Sequence, residues 1–271
     1  MLPWPVYVVA QRWSAAMIEA VRDHTKGVIL GDLFCQKRMF ENDVFDLLDM
    51  AQSAKSLGFE VVFQTPVYNT TRTVDATLAL IRKLAGGRLL DAVLVHDIGV
   101  VQAIQELEGV ELWWDRFSFN RDFVPNAPLM EFLRGQGISR VEVIHPSHVT
   151  MVADHGLGVL LYGYGPEIAS FGRICYTEDF LNEPCERKIL CQRSHPVIAS
   201  IDKVPLQYVA DGYTLIDKNE PVVRLSAIEP ALARRITGLT AYLRGPEEIE
   251  SLDEQVRMLR SSCAPAPAPS E

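Results

Sequence analysis

The sequence contains no apolar run approaching the roughly 18 residues that a membrane helix needs. It also lacks the basic start and sustained apolar core that open a secretory signal. Positive charge is scarce, because 26 Lys and Arg residues stand against 35 Asp and Glu residues, a net charge of −9 over 271 residues. We therefore expect a cytoplasmic protein without a membrane span, and the acidic balance disfavours broad binding to nucleic-acid phosphates.

Several enzyme motifs are missing. No G-x-G-x-x-G turn follows the first apolar segment, which weakens a dinucleotide-binding interpretation. No H-E-x-x-H helix and no G-x-S-x-G turn occur, so zinc-protease and α/β-hydrolase chemistry of the usual kind lose support. Apolar residues make up 48% of the chain and charged residues 23%. This ordinary globular mix excludes a mainly disordered, collagen-like or coiled-coil chain.

One pattern recurs between residues 6 and 165: a short apolar run, a polar turn and an amphipathic stretch with helical spacing. Apolar runs without strict alternation are typical of parallel strands buried on both faces. Strands that alternate with helices imply right-handed crossovers between parallel strands. Seven predicted strands precede Gly165: Val6–Ala10, Val28–Leu30, Val61–Phe63, Ala92–Val95, Val110–Trp113, Val141–Ile144 and Val159–Tyr162.

An eighth strand is predicted at Val222–Leu225, before helical segments near Ala231–Leu239 and Glu247–Arg260. Eight β/α units in a chain of this length favour a (β/α)8 TIM barrel over an open doubly wound sheet. We expect residues 1–262 to form one barrel-like domain. The alternating Ala and Pro residues predict a disordered tail over 263–271.

The pattern breaks between the seventh and eighth predicted strands. Residues 166–221 are too long for a plain connection. They contain three cysteines and then two strand-like runs, Val197–Ile201 and Tyr213–Ile216, around Asp211–Gly212. We expect an inserted segment that carries a hairpin.

Polar residues follow most of the predicted strands, at the end of a β/α barrel that carries the chemistry. His96 and Asp97 are the best acid–base pair by residue type, because imidazole transfers protons near neutral pH. Adjacent strand residues point to opposite faces, so we expect only one of the two to face the lumen. His145 and His148 are candidate metal ligands, with a turn role beside Pro146 as the alternative. The other polar residues are Asp32, Gln64, Thr65, Asp115, Arg116, Tyr164, Arg224 and Ser226.

Five cysteines are present, and the chain is too long for a disulfide-stapled miniprotein. Cys35 follows the second predicted strand, while Cys175, Cys185 and Cys191 follow the seventh, so the barrel topology predicts that all four approach one mouth. Four thiolates hold one zinc ion or one 4Fe-4S cluster. The spacings match neither a C-x-x-C zinc knuckle nor the bacterial ferredoxin run, and four inert thiols remain the alternative. Cys263, beside the tail, is left out of the set.

Basic residues flank the cysteines, where positive charge stabilises thiolates and an anionic cluster. Arg38 and Arg173 are candidates for charge balance or for binding an anionic carboxylate. The whole basic set is Lys37, Arg38, Arg173, Arg187, Lys188 and Arg193.

The sequence around these cysteines resembles the collagenase-like peptidase family U32, and within it the UbiV-like proteins of oxygen-independent ubiquinone biosynthesis. G-D-L-F-C-Q-K-R around Cys35 is similar to that group's G-E-x-x-C-x-x-R. H-D-I-G from His96 is similar to its D-x-G, and G-Y-G-P followed by G-R-I-C-Y-T to its R-C-F-T. A late Leu225–Ser226 ends the predicted eighth strand. Two features depart: His145–Pro146–Ser147 stand where the family often has a glutamate after strand six, and the last cysteine pair is spaced more widely.

The resemblance implies a barrel-like fold with a 4Fe-4S cluster bound by Cys35, Cys175, Cys185 and Cys191. It implies oxygen-independent hydroxylation of a small biosynthetic substrate, an aromatic ubiquinone precursor or similar, with prephenate suggested as the oxygen donor. A related family member is the expected partner in a heterodimer. Three alternatives stay open: a non-catalytic electron-transfer or stabilising subunit, an RNA-modifying protein, and a zinc-stabilised peptidase-like protein.

Overall fold

A computed structural model of the chain describes residues 4–10, 13–31, 44–66, 71–115, 125–165, 168–171, 195–201, 204–211, 214–217, 228–243, 248–250 and 254. Within these ranges, eight parallel strands close into a barrel, and a second, antiparallel sheet is formed by four further strands. None of the helices in the described ranges combines the length and the apolarity that crossing a bilayer requires.

The barrel has the (β/α)8 architecture that the alternating pattern predicts. Neighbouring strands pair in parallel in the closed order β1-β12-β7-β6-β5-β4-β3-β2. The strands follow one another around the ring in the order in which they occur along the chain, as is usual for a β/α barrel with right-handed crossovers. The strands are β1 (Val6–Ala10), β2 (Gly27–Leu30), β3 (Glu60–Gln64), β4 (Ala92–Val95), β5 (Glu111–Trp114), β6 (Ile138–Val143), β7 (Gly158–Tyr164) and β12 (Gly238–Leu243).

Helices between the strands cover the outside of the barrel. Polar side chains begin several of them: Ser14 accepts a hydrogen bond from the Met17 amide at 3.1 Å, and Asn126 accepts one from the Leu129 amide at 3.1 Å. Such caps satisfy amides that have no partner within the helix. The helices are α1 (Ala15–Ala20), α2 (Val44–Ser56), α3 (Thr71–Gly86), α4 (Ile98–Ile104), α5 (Ala127–Gly135), α6 (Ser147–Asp154) and α7 (Pro230–Ala233).

The eighth barrel strand lies at Gly238–Leu243, so its prediction at Val222–Leu225 is wrong. Residues Val222–Leu225 themselves lie outside the described ranges. The predicted helix near Ala231–Leu239 is also wrong in its second half, because α7 ends at Ala233 and a strand follows. Pairing with β1 and β7 closes the ring at this point, and this tertiary requirement overrides the local helical spacing.

The insertion between β7 and β12 holds four strands in the order β8-β11-β10-β9. The predicted hairpin run Val197–Ile201 falls in β9, and residues 214–216 of the run Tyr213–Ile216 fall in β11, but these two strands do not pair with each other. A strand that the sequence did not reveal, β10, lies between them and pairs with both. Pro205 and Gln207 interrupt the apolar pattern of β10. The strands are β8 (Ile168–Phe171), β9 (His195–Ile201), β10 (Val204–Asp211) and β11 (Thr214–Asp217).

Alternate residues of the barrel strands divide between two apolar layers. The outer layer packs against the helices, as Val8, Val61 and Val141 do. The inner layer fills the lumen, which is therefore a packed core rather than a pore. Its buried members are Tyr7, Val9, Ile29, Val62, Ala92, Leu94, Trp113, Leu160, Tyr162 and Tyr242.

A polar network closes the amino end of the barrel. The Tyr7 hydroxyl donates to Glu60 Oε2 at 2.7 Å and accepts from Arg140 Nη1 at 3.2 Å. The Arg140 guanidinium lies 4.7 Å from the centroid of the Trp113 ring and 3.3 Å from a Glu111 carboxylate oxygen. Tyr7, Glu60 and Arg140 thus each have a charged or hydroxyl partner, as burial requires.

Tyr7 gives this network a measurable pH dependence. Burial, and then the hydrogen bond to Glu60, raise the pKa of Tyr7 above its ordinary value of 10. The folded state therefore holds the phenol proton more tightly than the unfolded chain, and this stabilisation is complete below pH 10 and is lost as the pH rises above it.

We expect Tyr7→Phe to lower the free energy of unfolding by about 1 kcal/mol near neutral pH, because Glu60 and Arg140 each lose a partner. The difference between wild type and variant should shrink at about pH 10.5 relative to about pH 8. Urea unfolding at both pH values measures it. A difference that stays constant would contradict the assigned direction of the Tyr7 pKa.

Candidate functional site

Two buried carboxylates enter the lumen near the carboxyl ends of the strands. Asp115 follows β5 directly, Glu142 lies in β6, and both are 0% exposed. Trp114 pairs with Val141, so the same register continued by one residue places Asp115 beside Glu142. Trp113 belongs to the lumen layer while Val141 belongs to the outer layer. By alternation, both carboxylates therefore face the lumen.

Each carboxylate accepts a hydrogen bond from a neutral donor two strands away. Gln64 Nε2, at the end of β3, donates to Asp115 Oδ2 at 2.5 Å across β4. Thr240 Oγ1, in β12, donates to Glu142 Oε1 across β7. In a β/α barrel, side chains from alternate strands share a layer, which is why these donors meet strands that are not their neighbours. We call these four residues, Gln64, Asp115, Glu142 and Thr240, the lumen polar set.

The two predicted acid–base residues occupy different places. The Asp97 side chain accepts hydrogen bonds from the amides of Gly99 at 2.7 Å and Val100 at 3.2 Å, and so caps α4. His96 continues the lumen face of β4 after Leu94, and both of its ring nitrogens are buried. Asp97 therefore has a structural role as the cap of α4. A role of either residue in proton transfer stays a prediction.

His145 and His148 lie where β6 passes into α6. His145 Nδ1 accepts a hydrogen bond from the Ser147 amide at 3.2 Å and lies 2.7 Å from Ser147 Oγ. The two imidazole centroids are 5.8 Å apart. Burial, and then the neighbouring His145, lower the pKa of His148 below its ordinary value. Within the described ranges, no three His, Cys, Asp or Glu side chains gather as a metal site would require, and the turn interpretation fits His145.

The other polar residues that we predicted at the mouth of the barrel lie in several different places. Thr65 is buried, with its hydroxyl 3.4 Å from the Leu94 carbonyl oxygen, while Tyr164 packs in the outer layer. The prediction that Arg224 and Ser226 end the eighth barrel strand is wrong, because that strand is β12. The remaining predicted site residues lie outside the described ranges: Asp32, Cys35, Arg38, Arg116, Arg173, Cys175, Cys185, Cys191, Arg224 and Ser226.

Sequence reasoning missed half of the lumen polar set. Glu142 was overlooked because it lies inside a strand rather than after one. The signal was present, since Arg140 and Glu142 place charges at alternate positions among the apolar residues Ile138, Val141 and Val143 of one strand. Thr240 was missed because the predicted helix near Ala231–Leu239 covers the start of its strand and no strand is predicted there. Gln64 and Asp115 were found because each stands at the end of a predicted strand.

No protein-family model matches the sequence, and neither does any curated protein. Solved structures match the fold. The U32 peptidase Mk0906 has a TM-score of 0.53 at 9% identity, over 90% of this chain and 94% of that chain. A tryptophan synthase α2β2 complex from Pyrococcus furiosus has a TM-score of 0.54 at 10% identity, over 96% of this chain and 98% of that chain.

A mutant tryptophan synthase α-subunit from the same hyperthermophile has a TM-score of 0.50 at 12% identity, over 96% of this chain and 100% of that chain. The chain is therefore a TIM-barrel protein, and each of these matches covers most of this chain and most of the other chain. At these identities the similarity establishes the fold alone.

We expect Thr240→Val to lower the free energy of unfolding by about 2 kcal/mol, because the buried Glu142 carboxylate loses a hydrogen-bond donor. The control is Thr237→Val, which removes a bond of 2.9 Å to the Val159 carbonyl oxygen. Because this acceptor is neutral, we expect Thr237→Val to lower the free energy of unfolding by about 1 kcal/mol or less. Urea unfolding measures both variants, and equal losses would show that the lumen carboxylate does not depend on Thr240.

Proposed function

We propose that the chain is an iron–sulfur member of the U32 peptidase family, of the UbiV-like type. Cys35, Cys175, Cys185 and Cys191 hold a 4Fe-4S cluster near the carboxyl mouth of the barrel. The protein takes part in oxygen-independent hydroxylation of a small biosynthetic substrate, together with a related partner subunit. Similarity of fold to a U32 peptidase over most of both chains supports this family, as do the residues around the cysteines.

The direction of two barrel strands is the observation on which the proposal depends. β2 and β7 are parallel strands of one closed barrel, separated on one side by β1 and β12. Their carboxyl ends therefore lie at the same mouth. The segment with Cys35 begins after β2, and the insertion that contains the other three cysteines begins after β7. Two segments that are far apart in the sequence therefore begin at the same end of the barrel.

The second sheet supports a common location for the later three cysteines. β8 and β9 are its outer strands, and each neighbouring pair is antiparallel. The carboxyl end of β8 and the amino end of β9 therefore lie at the same end of the sheet, three strand spacings or roughly 14 Å apart. Residues 172–194, which contain Cys175, Cys185 and Cys191, join these two ends.

The residue types fit the group. Four thiolates are the usual ligands of a 4Fe-4S cluster, which supplies one-electron transfer when bound. Arg38 and Arg173 would balance its negative charge or hold the carboxylate of an anionic oxygen donor such as prephenate. The lumen polar set lies buried at this end of the barrel, which is the end at which β/α barrels bind their substrates.

One observation favours a second candidate, a non-catalytic electron-transfer or stabilising subunit. The residues after β6, where the family often has a glutamate, are His145–Pro146–Ser147. His145 Nδ1 accepts a hydrogen bond from the Ser147 amide at the start of α6. The position at which the family often has a glutamate is here part of a turn. The cluster and the partner subunit are common to both candidates.

Anaerobic purification tests the cluster. We expect a brown protein that absorbs at about 400 nm and contains about four irons and four sulfides per chain. Cys35→Ala should lower the iron content because one ligand is lost, whereas the control Cys263→Ala should retain it. Iron and sulfide assays on both variants measure this. Colourless wild-type protein with stoichiometric zinc would overturn the cluster proposal.

Co-expression with a related family member tests the partnership and separates the two candidates. We expect a heterodimer by size-exclusion chromatography. Hydroxylation by this chain alone would identify it as the enzyme, and hydroxylation that needs the partner's active site would identify it as the accessory subunit. Two proteins that elute separately at micromolar concentration would contradict the partnership.

A further inference from the structure

We propose that His145 and His148 form an acid-sensitive start of α6, whose first turn is ordered while both imidazoles are neutral and opens when they take up protons. The pair lies where β6 passes into α6, and therefore at the carboxyl mouth of the barrel. Neither histidine belongs to a segment that carries a cysteine. The two residues would act in the same way with or without a cluster.

The position of the proton on His145 follows from its partners. A backbone amide can only donate, and the Ser147 amide donates to His145 Nδ1 at 3.2 Å. Nδ1 therefore carries no proton, and the Ser147 hydroxyl, at 2.7 Å, can donate to the same atom. This geometry requires the neutral imidazole with its proton on Nε2.

His145 takes the place of a helix cap. Pro146 stands in the cap position of α6 and makes no side-chain hydrogen bond to the helix. The His145 ring accepts from the Ser147 amide instead, and the His145 carbonyl oxygen accepts from the His148 amide at 3.0 Å. The first amides of a helix have no partner within it, so this residue supplies acceptors that the helix itself lacks.

Protonation removes the cap in two ways. An imidazolium has a proton on each nitrogen, so Nδ1 changes from an acceptor to a donor and can no longer bind the Ser147 amide. Positive charge also collects at the amino end of the helix, where the macrodipole is already positive. His148 adds to the effect, because its ring centroid is 5.8 Å from that of His145 and two imidazolium charges repel each other.

His148 gives the sign of the pH dependence. Burial, and then His145, lower the pKa of this imidazole below its ordinary value of 6.5. The unfolded chain therefore takes up the proton at a higher pH than the folded chain does. The stabilisation is complete above pH 6.5 and is lost as the pH falls from there through the lowered value.

Charged groups on the neighbouring elements do not reverse this sign. α6 packs against α5, β6 and β7. Arg134 contacts the other end of α6, where it donates to the His155 carbonyl oxygen at 3.4 Å, and Glu142 faces the lumen. A nearby carboxylate would raise the pKa of an imidazole, whereas that of His148 is lowered. In the described ranges, the titratable or charged side chains of these elements are Glu131 and Arg134 on α5, Arg140 and Glu142 on β6, Tyr162 and Tyr164 on β7, and Asp154 beside the histidines on α6.

His155 is a matched control at the other end of the same helix. Its Nδ1 lies 2.8 Å from the Met151 carbonyl oxygen, which can only accept, so here Nδ1 carries the proton. Protonation of the ring keeps this bond and places positive charge at the carboxyl end of the helix, where the macrodipole favours it. His145 and His155 thus respond to acid in opposite ways.

Imidazole nitrogen NMR and hydrogen exchange of the α6 amides test the proposal. At about pH 7.5 we expect the proton on Nε2 in His145 and on Nδ1 in His155. Between about pH 7.5 and about pH 5, protection of the Ser147 and His148 amides, relative to their intrinsic exchange rates, should fall by at least roughly threefold. His145→Asn should remove this fall, because an asparagine oxygen accepts from the amide two residues on and does not titrate. His155→Asn should keep it.

Three results would overturn the proposal. One is an equal fall of protection in His145→Asn and wild type, since another group would then be responsible. Another is loss of the fall in His155→Asn. The third, a neutral His145 with its proton on Nδ1, is measured on the wild type and decides the matter even where a variant does not fold.

Discussion

Closure of the barrel is the constraint on which the rest of the structure depends. Each strand is buried on two faces, so the lumen must be filled by side chains while the outer face packs on helices. Large rings such as Tyr7 and Trp113 fill it. A polar group that enters this space must bring a partner, because an unpaired buried polar group is costly. Arg140 at the amino end and the lumen polar set at the carboxyl end both meet that condition.

The same closure decides where chemistry is placed. Parallel strands send all their carboxyl ends to one mouth, so the segments that follow β2 and β7 begin at the same mouth despite their distance in sequence. The second sheet continues from β7 through Gly165, and its outer strands hold both ends of the segment with three cysteines. Our proposal for the cluster follows from this geometry and not from any single motif.

The predicted fold was correct where local pattern and tertiary pairing agree. In seven barrel strands the apolar run is too short to form a helix, and each of these strands lies near its predicted position. The pattern failed at β12, where Thr240 interrupts the apolar residues and helical spacing continues from α7. It failed again at β10, where Pro205 and Gln207 conceal a strand. The site shows the same division: Gln64 and Asp115 end predicted strands, whereas Glu142 and Thr240 lie inside them.

The sequence by itself determined the β/α alternation, the long insertion and the grouping of cysteines after two particular strands, because these follow from local apolar periodicity and residue order. Only the tertiary structure decided which strand closes the ring and which donors meet Asp115 and Glu142. These features depend on contacts between residues far apart in the chain, and local spacing contains no information about such contacts.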